Sequence, residues 1–394
     1  MSRDAAKPWV YLDHNSTTPI HEEVIQAMEP FLRDSWANPS SAHTFGSQSR
    51  RAIDHARAQV AKLIGATKPS EIIFTSGGSE SNNTAISSGL DILGNDAALI
   101  TSPTEHAAVL GPIQRFEQLG KKIIWVPVER SGVLSSEAYT HALRDHPKAL
   151  LSFMWANNET GVISPIRKMA EQASDQGYLF HSDAVQAVGK IKVDVSEVPV
   201  DMLSFSGHKL NGPKGVGVLY VREGTRFAPY LRGGHQERGR RAGTENVAAI
   251  VGLGKACELV AQKWQENQSR LQGLRNRLEE GIQATCQPVQ VHATEAPRLA
   301  NTANISFEKL DGEAILFMLD DDRVCVSTGS ACESGSLDAS HVLKAMQVES
   351  AYLNSSIRFS LGESTTEADI DYVLEVLPQI IHRCRSLLPG ADAS

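Results

Sequence analysis

The chain has 394 residues, 41% of them hydrophobic and 21% charged, with a formal net charge of -8. Those values describe a globular protein long enough for two or three domains, and they argue against nucleic acid or an anionic membrane as its main partner. No apolar run approaches membrane-spanning length, MSRDAAKPWV lacks an apolar signal core, and five scattered cysteines (Cys257, Cys286, Cys325, Cys332 and Cys384) suit a reducing cytoplasm better than a disulfide framework.

In chain order, WVYLDHNSTTP (9–19) reads as a strand followed by a turn. Residues 48–64 are expected to be helical, because Ala52, Ile53, Ala56, Val60, Leu63 and Ile64 share one face. Strands are expected at 72–76, 97–101, 122–128, 150–155, 178–182, 202–205 and 216–221, with helix-length segments between most of them. That alternation implies βαβ crossovers and an α/β fold, a mainly parallel seven-stranded sheet sandwiched by helices. Ligands of such sheets bind beyond the carboxyl ends of the strands. A long polar helix (245–285) follows, then a strand at 301–307, a helix at 313–319, a strand at 324–328 and a final helix at about 366–387. This second part reads as a smaller α+β domain against which the N-terminal residues pack. The expected division is 15–255 for the large domain and 1–14 plus 256–394 for the small one.

Polar groups gather at several strand ends. Ser206-Gly207-His208-Lys209 interrupts an apolar run between glycines, and a partly desolvated lysine there can lose its proton and form a Schiff base. Thr75-Ser76-Gly77-Gly78-Ser79 is either a phosphate cradle at a helix N-terminus or a tight turn with serine as N-cap. Asp183 either caps the next helix or pairs with a protonated ring nitrogen such as a pyridinium, with Gln186 one turn on in reach of the same ligand. His106, in Thr104-Glu105-His106, could stack on a flat ring and move protons, or serve only the helix start. Asn157 and Asn158 supply amides or an Asx-type turn.

Three motifs come from the second half. Cys332 sits in the small, polar loop Ser327-Thr-Gly-Ser330-Ala331-Cys332-Glu333-Ser334, where a thiol can swing and act as a nucleophile; the competing idea is a redox pair with Cys325. Arg358 stands between apolar strand residues and either forks onto a substrate carboxylate or pairs with a neighbouring acid. The run Glu237-Arg-Gly-Arg-Arg-Ala-Gly-Thr244 is a phosphate or subunit contact or a solvated loop. No His/Cys cluster has the spacing of a dedicated metal site.

Together these pieces resemble the cysteine desulfurases of the NifS/IscS type, within the class V aminotransferase group of pyridoxal-phosphate enzymes of fold type I. The likeness runs from YLDHNSTTP (11–19) to SIRFSLGESTTEADID (356–371) and is carried by NPSSAHTFG (38–46), TSGGSESNN (75–83), TEHAAVL (104–110), NNETG (157–161), HSDAVQAVGK (181–190), SFSGHKLNGPKG (204–215), HQERGRRAGTENVA (235–248) and STGSACESGS (327–336). The resemblance implies pyridoxal 5'-phosphate held covalently by Lys209. His106 would stack on the ring and transfer protons, Asp183 would face the ring nitrogen, and Asn158 and Gln186 the O3 side. Gly78, Ser79, Ser206 and His208 would bind the phosphate with Thr244 of a second subunit, Asn38 and Arg358 would hold the substrate carboxylate, and Cys332 would accept sulfur from L-cysteine.

It further implies a homodimer that supplies an iron–sulfur scaffold or another sulfur acceptor, with nitrogenase maturation as one destination; the sequence leaves open whether Cys332 is ever a transient cluster ligand. Three departures stand out: Glu333 follows the cysteine where small hydroxyl residues are usual, Ser16 and Ser79 stand where Ala and Thr are more familiar, and LLPGADAS stops short of the aromatic-containing tail with which IscS-type relatives dock their scaffold partner. The rival readings are another fold-type I enzyme, such as an aminotransferase or selenocysteine lyase, and a non-catalytic sulfur or cluster carrier.

Overall fold

The chain enters on a two-residue strand, β1 (Val10–Tyr11), and then builds a seven-stranded sheet from β2 (Ile72–Thr75), β3 (Ala98–Thr101), β4 (Ile123–Trp125), β5 (Ala149–Met154), β6 (Leu179–Asp183), β7 (Met202–Ser206) and β8 (Gly217–Val221). The computed structural model describes residues 8–329 and 339–388. Sheet order is β2-β8-β7-β6-β5-β3-β4, and β8 alone runs antiparallel to its two neighbours. All seven expected strands form within two or three residues of their expected bounds. Every residue of β5 (ALLSFM) and of β7 (MLSFS) is buried, as continuous runs in a sheet covered on both faces should be.

Helices α1 (Glu22–Arg33), α2 (Thr44–Leu63), α3 (Gly78–Leu93), α4 (Ala107–Gln118), α5 (Ser136–Asp145) and α6 (Ile166–Ser174) belong to this half. α2 begins four residues earlier than its apolar periodicity implies, because the His43 ring caps it by accepting from the Gly46 N–H at 3.0 Å. One core unites α2, the sheet and the crossover segments around Ile53, Val60, Leu151, Phe153, Phe205 and Val218.

α7 (Val247–Thr285) has 39 residues and is roughly 58 Å long at 1.5 Å per residue. Ile250, Leu253 and Cys257 at its start pack into the first core, whereas Leu271, Leu274, Leu278 and Ile282 belong to a second. That second core lies under β9 (Val289–Val291), β10 (Thr302–Phe307) and β13 (Ile357–Ser360), with α8 (Gly312–Asp321) and α11 (Glu367–Ser386) packed on it. The short helices α9 (His341–Ala345) and α10 (Ser350–Leu353) intervene. The strand expected at 324–328 is corrected: the chain breaks at Val326 into β11 (Val324–Cys325), parallel to β1, and β12 (Ser327–Thr328), antiparallel to β13. A five-residue strand-like run (VCVST) carries no signal for a change of partner sheet.

The basic run is also corrected, since its first residue is no solvated loop residue. Glu237 is buried and grips Arg57 of α2 with both oxygens at 2.7 Å, while also accepting from the Phe74 N–H at 3.1 Å. Both Glu237 and Arg238 hold positive φ (48° and 59°), a cost the fork geometry offsets. Glu237→Ala leaves the Arg57 guanidinium buried without its carboxylate and is expected to lower stability by about 3–5 kcal/mol. Urea denaturation checks this; a loss under about 1 kcal/mol would mean that water replaces the carboxylate.

Candidate active site

Because β8 reverses direction between β2 and β7, the strands β2, β3, β5, β6 and β7 all point their carboxyl ends to one edge. There the turns after them deliver the Gly77–Gly78 turn, His106, Asn158, Asp183 and Lys209, which is the edge where this architecture binds ligands. β5 and β6 are in register with Met154 opposite Asp183, and Asp183 lies opposite Ser204 of β7.

Asp183 is buried. Its Oδ1 accepts from the Val185 N–H at 2.9 Å, and its Oδ2 accepts from the Asn82 side-chain amide at 2.6 Å. Burial pushes its carboxyl above the usual range, opposed by the neighbouring His106 imidazole, these hydrogen bonds and Lys209. His106 caps α4, with Nδ1 accepting from the Ala108 N–H at 3.0 Å. That bond leaves the proton of the neutral ring on Nε2. Burial lowers the imidazole's pKa; Asp183 raises it, and Lys209, His341 and Arg358 lower it further. Asp183, His106 and Lys209 therefore share one electrostatic environment. Glu105 next door has its Oε1 on the Met154 N–H at 2.8 Å, and burial holds its carboxyl well above the usual range.

Lys209 Nζ donates to the backbone carbonyls of Asn15 (2.5 Å) and Ser16 (2.6 Å), so the turn after β1 reaches the centre of the site. His208 holds the same turn: its carbonyl accepts from the Thr18 N–H, and its Nδ1 meets Thr17 Oγ1 at 3.2 Å. Burial, then Lys209 and Lys214, lower the His208 ring to about 4, so it is neutral at pH 7. α3 starts at Gly78 with no side chain capping it, which leaves its leading N–H groups open to an anion. Ser206 adjoins this turn, because a Cβ on Gly78 would lie 3.7 Å from its Cβ and 2.9 Å from Val185 Cγ2. Ser79 is exposed at the same turn.

Asn158 is buried; its carbonyl accepts from Arg358 Nη1 at 3.1 Å and its side-chain amide makes no hydrogen bond among the described residues. Gln186 is buried and donates from Nε2 to the Asn15 carbonyl at 2.9 Å. Arg358 of β13 is 2% exposed, and its Nη2 reaches Asp13 Oδ1 at 2.8 Å and Ser16 Oγ at 2.7 Å. The neighbouring acid is thus its partner here, although Nε has none among the described residues.

Two expected residues are not drawn in by this chain alone. Asn38 is exposed and turns its Oδ1 to the Ser40 N–H (2.8 Å), and Thr244 lies on an exposed loop. Cys332, with Ser330 and Glu333, lies outside the described residues. Its described flanks both sit at Glu159: Ser340 Oγ donates to Glu159 Oε2 at 2.5 Å, and a Cβ on Gly329 would lie 2.7 Å from that oxygen.

The class-V aminotransferase family profile matches residues 10–373. Cysteine desulfurase NifS of Azotobacter vinelandii is 48% identical over 380 residues, 96% of this chain and 94% of the relative. The chain belongs to the class-V aminotransferase family, in its NifS-type branch. A solved NifS-like protein superposes with a TM-score of 0.89 at 34% identity, covering 95% of this chain and 100% of the other. A NifS-like protein from Rickettsia africae gives 0.86 at 32%, covering 95% and 100%.

Class-V aminotransferase enzymes use pyridoxal 5'-phosphate, and the edge just described fits that group. It offers a buried carboxyl for a ring nitrogen, an uncapped helix start beside a serine for a phosphate, and a lysine at the end of β7. Reading the sequence missed three participants: Asn82, which steadies Asp183; Asn15, which touches Lys209 and Gln186; and Lys190. A usable signal existed only for Asn82, four residues after Gly78 and so on the same face of α3. Among the described residues no His/Cys/Asp/Glu group could hold a metal ion, and no helix is long and apolar enough to cross a membrane.

Proposed function

We propose that this chain is a homodimeric cysteine desulfurase that converts L-cysteine to L-alanine and leaves the sulfur as a persulfide on Cys332, for delivery to an iron–sulfur scaffold or other acceptor in the cytoplasm. The observation that carries this reading is the convergence of Lys209, Asp183 and His106 at one sheet edge in a chain 48% identical to a cysteine desulfurase. Two units serve the site, 15–255 for the cofactor and 1–14 with 256–394 for Arg358 and Cys332. Ile25, Leu32 and Trp36, exposed on and just after α1, support a second copy as partner, with Thr244 reaching that copy's phosphate.

Bound pyridoxal phosphate supplies an electron sink for the carbon that loses its proton. Lys209 holds it, Asp183 faces its ring nitrogen, Asn158 and Gln186 its O3 side, and Gly78, Ser79, Ser206 and His208 its phosphate. Arg358, aided by Asn38, orients the carboxylate of L-cysteine. His106, with its proton on Nε2, is placed to move protons at the substrate. The Cys332 thiolate attacks the substrate sulfur: an S–S bond forms, the Cβ–S bond breaks with its electron pair on carbon, and a proton on that carbon completes alanine.

The purified protein is expected to be yellow, to change its visible spectrum with L-cysteine and to release alanine. Borohydride trapping followed by peptide mass mapping should mark Lys209, and Lys209→Ala should lose the colour. Trapping at another lysine, or a colourless wild type, would overturn the reading and favour a non-catalytic carrier.

A further inference from the structure

Lys190, just beyond the Asp183–Gln186 turn, has no part in the function proposed above. Its side chain is half-buried and lines a pocket together with His14, Lys209, Asn301 and Leu361. Nζ donates to Gln186 Oε1 at 2.5 Å and to Asn15 Oδ1 at 2.8 Å. Both acceptors are amide oxygens, and the direction of an amide is set only by its partners.

Those two bonds orient both side chains. With Oε1 on Lys190, Gln186 must turn its NH2 the other way, where one N–H meets the Asn15 carbonyl and the second stays available. With Oδ1 on Lys190 and on Asn301 Nδ2 (3.1 Å), Asn15 turns its own NH2 to Thr302 Oγ1 (2.9 Å) and the Asn158 carbonyl (3.2 Å). The Asn15 carbonyl, fixed by this arrangement, then accepts from Lys209 as well as from Gln186. Protonated or neutral, Lys190 has the two N–H groups these oxygens need.

We propose that Lys190 is a positioning residue which, by holding the Gln186 amide, sets how tightly the Lys209-linked chromophore keeps its proton. This rests on the proposed placement of Lys209 and Gln186 at the cofactor. A hydrogen bond donated to the ring's oxygen side draws charge from it and weakens the neighbouring protonated imine. Losing the donor therefore tightens the proton. The charged groups around Lys190 are Lys209 and Arg358, and together with burial they hold its ammonium well below the usual lysine range. His14 is neutral at pH 7, lowered to about 4 by burial and Lys190, and both its ring nitrogens lack partners among the described residues. The cavity adds His21 and the Lys263–Glu363 pair at 3.6 Å.

The test is a visible-absorbance pH titration of the holoenzymes. Lys190→Met is expected to raise the chromophore's apparent pKa by about one unit, a tenfold tighter hold on the proton, and Lys190→Arg to stay within about 0.3 unit. Gln186→Leu should give a similar rise, and the double variant no more than either alone. An unshifted Lys190→Met, or shifts that add in full, would overturn the proposal. If Lys190→Met does not fold, Lys190→Gln takes its place; failure of both to fold assigns Lys190 to the scaffold and also overturns it. A wild type without chromophore would instead sink the function on which it rests.

Discussion

Cys332→Ala holoenzyme is expected to keep the yellow Lys209-linked chromophore and to release sulfide from L-cysteine roughly 1,000-fold more slowly, or not at all. The reason lies in the other four thiols. Cys257 and Cys286 are buried, and burial pushes both thiols well away from the reactive thiolate. Cys384 lies buried on α11 against Met318, its thiol likewise raised by burial. Cys325, on β11, is raised by burial and further by Asp320 and Asp13. None is equipped to take over a sulfur atom. Sulfide assayed with a thiol reductant, beside the visible spectrum, checks this directly. Near-normal release from a fully coloured variant would point to a relative that needs no protein thiol, such as a selenocysteine lyase.

Asp183→Asn is expected to retain cofactor and lose roughly 100- to 1,000-fold in kcat, the scale on which removal of a preorganised charge is felt. Asparagine keeps the volume and can still accept from Val185, so the end of β6 should stand. What it lacks is the negative charge proposed to face the ring nitrogen. The same change removes a carboxyl that burial disfavours, so the cofactor-free variant should melt no lower than wild type. That pairing separates function from folding: kcat within about fivefold of wild type would remove Asp183 from the ring, and a lower melting temperature would make it structural.

Much of this is legible in the sequence, for reasons that differ by element. The seven strands were readable because short, mostly apolar runs such as β5 (ALLSFM) and β7 (MLSFS) stand between turn residues. Their polar ends were readable because several such runs stop at polar groups, Asp183 and Lys209 among them. Direction was not, since nothing in GVLYV says that β8 runs against its neighbours. Nor was the partner change at Val326, nor the burial of Glu237, whose neighbours in sequence suggest a solvated loop. Asn15 stayed hidden because its contacts come from residues far along the chain, Asn301 and Thr302, and Lys190 because one of its two acceptors is Asn15. Arg358 shows the converse: its burial was anticipated, yet only the fold reveals that Asp13 claims it.

The pairing of β1 with β11, and of the Asn15 N–H with Ser360 Oγ, has a consequence for biosynthesis. A nascent chain has nothing to pair with its first strand until residues 324–325 have been made. Residues that meet Lys209 wait for partners translated more than 300 positions later. The edge that holds Lys209 is therefore finished by residues from both ends of the chain, Asn15 and Ser360 among them.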